Sequence, residues 1–157
     1  MSSYVFKSII GNIELVSSKN RITAVLRTRK KPNKTKDKLL RGSALQIKMY
    51  LASRRRSLNF TTKQIGTKFQ KRVWDYLQKI PYGKTTTYGD IAKKLRTSPR
   101  AVGGALGRNN LMMSVPCHRV VGSDGTLTGF TSVGGLNTKK NLLSIEQKNI
   151  KKNKKKN

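Results

Sequence analysis

The sequence has one cysteine, one histidine and only six acidic residues among its 157. One cysteine and one histidine are too few for a zinc finger, a zinc ribbon or an iron–sulfur cluster, since each needs about four such ligands. A lone cysteine also excludes an internal disulfide and a CxxC redox pair. We therefore expect a metal-poor protein.

Long apolar runs are also missing from the sequence. No segment approaches the roughly 20 apolar residues of a membrane span, and the first residues lack the apolar core of a signal peptide. We therefore expect no membrane partner. With nothing to indicate secretion, we expect an intracellular protein, in the cytoplasm or nucleoid, or in the nucleus of a eukaryote.

The few acidic residues are outnumbered by 35 lysines and arginines, which gives a formal net charge of +29. An ordinary soluble surface mixes both signs of charge. An excess this large indicates a polyanionic partner, most simply nucleic acid. Charge alone, however, suits a general nucleoid-binding or RNA-binding protein equally well.

The most concentrated charge lies at residues 148–157, which contain six lysines and no acidic residue. This segment has almost nothing to bury, so its composition predicts a disordered tail. The tail suits an arm that attracts DNA, a nuclear-import patch or a plain solvated end.

Residues 1–60 predict a small antiparallel sheet with one helix. Short β-prone runs are separated by pairs of residues that suit tight reversals, which is typical of a three-stranded meander. Apolar residues then recur at helical spacing from Leu40 to Leu51, which predicts a helix covering the sheet. The three runs lie at 4–10, 13–17 and 22–27.

Residues 61–147 predict a mainly helical lobe. A capping box at Thr67 precedes an amphipathic helix. Thr87 and Ser98 suit the N-caps of two further helices, and Pro99 suits the first position of the second. Two short helices joined by a three-residue turn form a helix-turn-helix pattern. The chain is therefore predicted to be an α/β protein of two small lobes.

The second helix of that pair is rich in small residues, with Ala101, Gly103 and Gly104 following Arg100. Each glycine inside a helix costs about 1 kcal/mol relative to alanine. Small residues let another backbone approach closely, either that of a neighbouring helix or that of DNA. If DNA is the neighbour, Arg100 is the long side chain that can reach into the duplex.

The only cysteine and the only histidine are adjacent, as Cys117 and His118, and Arg119 follows them. A buried cysteine is most often a small core residue. Here the two basic neighbours favour the thiolate, which makes a nucleophile the sharper hypothesis. Successive side chains of a strand point to opposite faces. His118 therefore reaches the sulfur only if the backbone turns here or a water relays the proton.

The segment Pro116-Cys117-His118-Arg119-Val120-Val121 resembles the active-site motif of the O6-alkylguanine-DNA alkyltransferases. The resemblance covers roughly residues 66–147, with several separated motifs in the family's order. It implies a ribonuclease-H-like first lobe and a second lobe of winged helix-turn-helix type. The other matching positions are Thr87-Tyr88, Arg100 through Gly104, Asn109, Leu142-Leu143 and Glu146.

This resemblance implies DNA repair by direct damage reversal. A methyl group would pass irreversibly from O6-methylguanine, or less readily from O4-methylthymine, in double-stranded DNA to Cys117. The target nucleotide would be flipped out, because its O6 atom is unreachable inside a duplex. The protein would act once, with no cofactor and no metal, because no second cysteine exists to remove the alkyl group. It would act as a monomer. The alternative is a non-catalytic protein that binds alkylated lesions, or DNA in general.

The resemblance also implies catalytic roles for five residues. Cys117 would be the nucleophile and alkyl acceptor, and His118 its water-mediated base, oriented by Glu146. Tyr88 would donate a proton or hydrogen bond to the departing guanine. Asn109 would brace the turn that presents the cysteine.

The implied DNA contacts centre on Arg100, which would fill the gap left by the flipped nucleotide. Further contacts would come from Thr87, Ser98, Ala101, Gly103 and Gly104. The substrate pocket would be lined by Arg119, Val120, Phe130, Ser132 and Val133.

Considered without the family, several of these residues have simpler explanations. Tyr88 lies on the apolar stripe of its helix and could be a core residue. Glu146 could be a surface carboxylate, Asn109 a helix C-cap, and Arg100 one phosphate contact among many.

Overall fold

A computed structural model describes residues 1–127 and 135–156, with side chains described as far as residue 152. The predicted pocket residues Phe130, Ser132 and Val133 lie outside the described residues. The protein is α/β, with a three-stranded antiparallel sheet and several helices. Of the described helices, none combines the length and the apolar character that crossing a membrane requires.

The first lobe is the predicted meander with one covering helix. Its strands pair in the order β1-β2-β3, and the inward side chains pack against the helix. Ile13, Leu15 and Val25 of the sheet and Ile47 of the helix are completely buried. The elements are β1 (Ser2–Phe6), β2 (Ile13–Ser18), β3 (Arg21–Arg27) and α1 (Lys38–Leu51).

β1 is shorter than the predicted run to Ile10. The chain leaves the sheet at Phe6 because Ser8 to Gly11 form a turn, in which the Gly11 N–H donates to the Ser8 carbonyl at 3.0 Å. Gly11 has φ +107°, a backbone conformation that residues other than glycine rarely adopt. The apolar Ile10 is therefore buried from a turn and not from a strand.

The described part of the second lobe contains four α-helices, one 3-10 turn and a two-stranded parallel pair. The predicted caps are confirmed, because the hydroxyls of Thr67, Thr87 and Ser98 accept from the first turns of three helices. The helix that Thr87 caps ends at Arg96, which lies in the left-handed region with φ +56°. The elements are α2 (Lys68–Leu77), β4 (Thr86–Thr87), α3 (Tyr88–Leu95), α4 (Pro99–Gly107), β5 (Val120–Val121) and α5 (Gly135–Lys156).

The outer edge of β3 joins the two lobes. The Ile22 N–H donates to Thr61 at 2.8 Å, and the Val25 N–H donates to Asn110 at 2.7 Å. Met112 returns a bond to the Val25 carbonyl at 3.1 Å. One hydrophobic cluster then continues from the sheet into the helices, so the lobes are packed as one body.

Helix α5 continues to Lys156, so residues 148–156 differ from the predicted disordered tail at 148–157, whose last residue lies outside the described residues. Composition alone misses the anchors of this helix. The Asn149 amide donates to the Tyr82 hydroxyl at 3.2 Å, and Ile150 packs directly against Gly83. An anchored helix extends at little cost, and lysine is a good helix former.

Candidate active site

Cys117, His118 and Arg119 form one 3-10 turn that leads into β5. The Cys117 N–H donates to the Val115 carbonyl at 2.8 Å, and the Arg119 N–H donates to Pro116 at 3.0 Å. The backbone therefore turns at the point where the sequence analysis required a turn. The thiol and the imidazole leave the turn towards different partners.

Asn109, the residue after the C-cap of α4, binds the thiol. Its Nδ2 lies 2.9 Å from the Cys117 Sγ and donates to the Val115 carbonyl at 2.9 Å. Its Oδ1 accepts from the Leu111 N–H at 2.9 Å. The C-cap itself is Arg108, so the Asn109 side chain is used to tie the cysteine turn to α4.

The thiol of Cys117 is almost completely buried. Burial raises its pKa to about 12, although the Asn109 hydrogen bond and the positive charge of Lys139 act in the opposite direction. Reaction at neutral pH therefore requires a base that removes the thiol proton.

Glu146 is fully buried and lies at the centre of a hydrogen-bond network. Its Oε1 accepts from the Gly83 N–H and from the Arg119 Nε, each at 2.9 Å. Its Oε2 accepts from the Arg119 Nη2 at 3.1 Å, from the Tyr50 hydroxyl and from the His118 Nε2. Burial alone would raise the pKa of Glu146, but His118, Arg119 and Tyr50 together lower it to about 2.

This carboxylate determines the state of His118. An ionised carboxylate only accepts hydrogen bonds, so the His118 Nε2 carries the proton and Nδ1 carries the lone pair. Burial lowers the pKa of His118 despite the opposing effect of Glu146, so the ring is neutral. Nδ1 is buried and has no partner among residues 1–127 and 135–152. The same residues contain no group of three His, Cys, Asp or Glu side chains that could hold a metal ion.

Arg119, predicted to line the substrate pocket, binds Glu146 in the structure. Its guanidinium binds both oxygens of Glu146 and donates to the Ile80 carbonyl at 2.7 Å. The 3-10 turn directs this side chain to the carboxylate, where the charges compensate each other. Val120, predicted beside it in the pocket, is completely buried and begins β5.

Gly103 and Gly104 of α4 are not required by packing among the described residues. A Cβ added at Gly104 would meet no described atom within 4 Å, and one at Gly103 would meet only the Tyr88 ring at 3.9 Å, an ordinary contact. The buried side of α4 is formed by Val102 and Ala105 instead. Arg100 is exposed near the start of the helix. The helix–helix explanation therefore does not account for these two glycines.

The chain is similar to known proteins in sequence and in fold. The family model of the 6-O-methylguanine DNA methyltransferase DNA-binding domain matches residues 68–148. The chain is 44% identical over 112 residues to a methylated-DNA–protein-cysteine methyltransferase of Methanosarcina acetivorans, and the match covers 70% of each chain. The Mycobacterium tuberculosis OGT in a complex with DNA superposes with a TM-score of 0.83 at 35% identity, covering 94% of this chain and 93% of that one. The chain belongs to the O6-methylguanine-DNA methyltransferase family.

A second relative gives the same result, since the methylated-DNA–protein-cysteine methyltransferase of Methanosarcina barkeri is 43% identical over 116 residues. This match covers 73% of the present chain and 72% of the relative. The resemblance inferred from the Pro116 to Val121 motif is therefore confirmed. In this member of the family, the structure also brings two residues to the site that sequence reasoning missed.

The first missed residue is Tyr50 of α1, whose hydroxyl donates to Glu146 from the other lobe. Burial raises its pKa, and the neighbouring Glu146 raises it further, so the hydroxyl stays a donor. In the sequence Tyr50 belongs to the apolar stripe of α1, three residues after Ile47. Its hydroxyl was the only indication of a polar contact, and nothing in the sequence indicated a partner 96 residues away.

The second missed residue is Lys139 of α5, which is completely buried. Its Nζ lies 5.7 Å from the centre of the Tyr88 ring. Its charge lowers the pKa of both Cys117 and His118. Burial lowers the pKa of Lys139 itself to about 8, with the thiol acting in the opposite direction. Among 35 basic residues, nothing in the sequence distinguished this one.

Removing the Tyr50 hydroxyl tests the connection between the lobes. Tyr50→Phe should lower the free energy of unfolding at pH 7 by about 1.5–3 kcal/mol, because a hydrogen bond to a buried charge is lost. Urea denaturation measures the change. Tyr4→Phe, which removes a hydroxyl of β1, is the matched control, and equal stabilities of the two variants would contradict the importance of the network.

Removing the charge of Lys139 tests its effect on the thiol. Below its pKa of about 8 the lysine is charged and favours the thiolate. Lys139→Gln should therefore slow the reaction of Cys117 with iodoacetamide at pH 7 about tenfold, which corresponds to one pKa unit. The difference should shrink above pH 8, where the wild-type lysine loses its proton.

The readout is the rate of Cys117 modification between about pH 6 and 10, followed by mass spectrometry. Lys139→Arg keeps the charge and should react like the wild type at pH 7. A rate difference that stays constant across this range would mean that the substitution disturbs the structure and not the electrostatics.

Proposed function

We propose that the chain repairs alkylated DNA by moving an alkyl group irreversibly from the O6 atom of guanine to the Sγ of Cys117. DNA repair by transfer to a protein cysteine follows from the family to which the chain belongs. Cys117 is assigned as the alkyl acceptor because it is the chain's only thiol and lies within the matched region. One acceptor and no resolving cysteine give one turnover per molecule.

The proton leaves Cys117 by way of His118. The lone pair on Nδ1 takes the thiol proton through a water molecule, which matches the buried Nδ1 that lacks a protein partner in the described ranges. Glu146 then stabilises the positive imidazolium, because its carboxylate binds the opposite ring nitrogen. This is the role that the third member of a Ser-His-Asp triad has.

The thiolate attacks the alkyl carbon, a carbon–sulfur bond forms, and the bond from that carbon to the guanine O6 breaks. The electron pair of the broken bond stays with guanine, which therefore needs a proton. Tyr88 donates it from the start of α3, next to the cation of Lys139. The products are an S-alkylated Cys117 and normal guanine. The proton on the His118 imidazolium then returns through solvent to the Tyr88 phenolate, which restores both side chains.

We assign DNA binding to α3 and α4 as a helix-turn-helix, with the β4–β5 pair as the accompanying wing and the sheet lobe as ribonuclease-H-like. The hydroxyls of Thr87 and Ser98 cap these helices, which places both residues at helix starts, where N–H groups favour phosphate. The bare surface at Gly103 and Gly104, next to Ala101, admits a DNA backbone. Arg100 fills the stack after the nucleotide is flipped out.

Covalent transfer distinguishes repair from non-catalytic binding. After incubation with duplex DNA that contains O6-methylguanine, the wild type should gain the mass of one CH2, located on Cys117. Cys117→Ala and a lesion-free duplex are the controls and should give no gain. Binding without any covalent product would mean a lesion-binding or general DNA-binding protein, and transfer to Cys117→Ala would exclude Cys117 as the acceptor.

The exposed glycine of α4 separates stability from DNA contact. Gly104→Ala should raise the free energy of unfolding by about 1 kcal/mol, because alanine favours the helix and the site has room for its methyl group. Repair of duplex DNA should nevertheless fall about tenfold, a loss of about 1.4 kcal/mol in transition-state binding, because the methyl group keeps the DNA backbone away.

Gly42 of α1 is a matched control, since a Cβ added there also meets nothing within 4 Å. Gly42→Ala should raise stability similarly and leave duplex repair unchanged. Iodoacetamide modification of Cys117 reports on the thiol itself in both variants. Undiminished repair by Gly104→Ala would contradict a DNA contact at this position.

A further inference from the structure

Helix α5 borders a groove that the proposed mechanism does not use. The groove has a volume of about 480 Å³ and separates α5 from the chain that follows β5. Its α5 wall is one face of the helix, because the lining residues are spaced by three or four positions. We call it the α5 groove; its described lining is Thr85, Val121, Gly125, Leu127, Lys140, Leu143, Ser144, Gln147, Lys148 and Lys151.

The charge along this groove has a single sign. Lys140, Lys148 and Lys151 are all exposed at its rim. None of the chain's six acidic residues lines it, and all six belong to the described residues. Asp124, which adjoins the opposite wall, accepts both hydrogen bonds of Thr126. These lysines therefore have no acidic partner in the described part of the chain and can be neutralised by an external anion.

The locations of the acidic residues support this point. Of the other five acidic residues, Asp37 accepts a hydrogen bond at the start of α1, Asp75 accepts one from Gln64, and Glu146 accepts several in the active site. The remaining two are Glu14, which pairs with Lys30, and Asp90 in the first turn of α3.

The row of lysines has the dimensions of a nucleic acid backbone. Lys140 and Lys151 are eleven positions apart, which is about 16 Å along a helix. A DNA strand carries one phosphate per about 3.4 Å of its axis, so the row runs beside several phosphates. The floor contains Leu143 and Val121, and Ser144 adds a neutral hydroxyl. No described residue of the lining is aromatic, so stacking of unpaired bases is not supported, and the backbone of a duplex fits better.

The α5 groove lies next to the active site but is separate from the helix-turn-helix. Val121 pairs with Thr87, directly before Tyr88, and Leu143 is on the same helix as Glu146. No residue of the described lining belongs to α3 or α4. A DNA strand in the groove would therefore add contacts to those of α4 and not replace them.

We propose that the α5 groove is a second binding surface for the DNA sugar–phosphate backbone. This inference rests on the proposed function, because the DNA that α4 binds either continues into the groove or is first captured by it. The two surfaces contribute differently: α4 approaches DNA closely with small residues, and the groove neutralises phosphates. The lysine-rich end of α5 extends the same charge beyond the groove.

The test compares two variants with equal net charge. The groove variant combines Lys140→Gln, Lys148→Gln and Lys151→Gln; the control combines Lys7→Gln, Lys31→Gln and Lys34→Gln, three exposed positions of the first lobe. Affinity for a lesion-free duplex is measured by fluorescence anisotropy at several salt concentrations. The groove variant should lower the slope of log K against log salt by about 2–3, because each phosphate contact contributes about 0.9. The control should change it by less than about 1.

Equal slopes for the two variants would overturn the proposal, because the lysines would then act only through net charge. Circular dichroism of both variants shows whether the helices are intact. The experiment needs no alkyl transfer. If the wild type fails to repair duplex DNA, the proposed function fails, while the comparison of slopes still decides whether the groove binds DNA.

Discussion

The buried carboxylate of Glu146 is the group on which the rest of the site depends. An isolated buried carboxylate would cost more free energy than the fold has to spare, so it must be surrounded by donors. Tyr50 comes from α1, Gly83 from the turn before β4, and His118 and Arg119 from the cysteine turn. The carboxylate can ionise at this depth only when all of these segments are in place, so the active site and the complete fold form together.

The same burial that makes this network necessary keeps the thiol protonated. At a pKa of about 12, Cys117 is unreactive towards most electrophiles at neutral pH. Under the proposed function, in which the single cysteine reacts once, the protein benefits from that protection. In the same proposal the ionised Glu146 makes deprotonation possible by leaving a lone pair on the His118 Nδ1, and Lys139 reduces the cost of the negative sulfur. Reactivity therefore depends on groups placed around the thiol and not on its exposure.

Local signals in the sequence were sufficient for much of the fold. The capping residues Thr67, Thr87 and Ser98 act on N–H groups two or three positions away, so their helices could be predicted from short segments. The adjacent Cys117 and His118 marked the site because each is the only residue of its type.

Contacts between distant segments could not be predicted in this way. Tyr50 and Lys139 act on partners that are remote in sequence, and their residue types are common in helices of any kind. The contact of Arg119 with Glu146 could not be predicted either, because the 3-10 turn that directs the side chain there has no local signature. The end of α5 was mistaken for a tail because Asn149 and Ile150 find their partners at Tyr82 and Gly83.

The excess of positive charge and the small residues of α4 meet two opposite requirements of one molecule. Attraction over a Debye length of about 8–10 Å needs many long basic side chains. Close approach to a DNA backbone needs a surface without them, and between Pro99 and Gly107 the only charged residue is Arg100. The two requirements are compatible only if most of the charge lies on other surfaces. In the proposed function, a helix with exposed glycines and a second helix with exposed lysines are therefore complementary parts of one DNA-binding protein, since neither composition could serve both purposes.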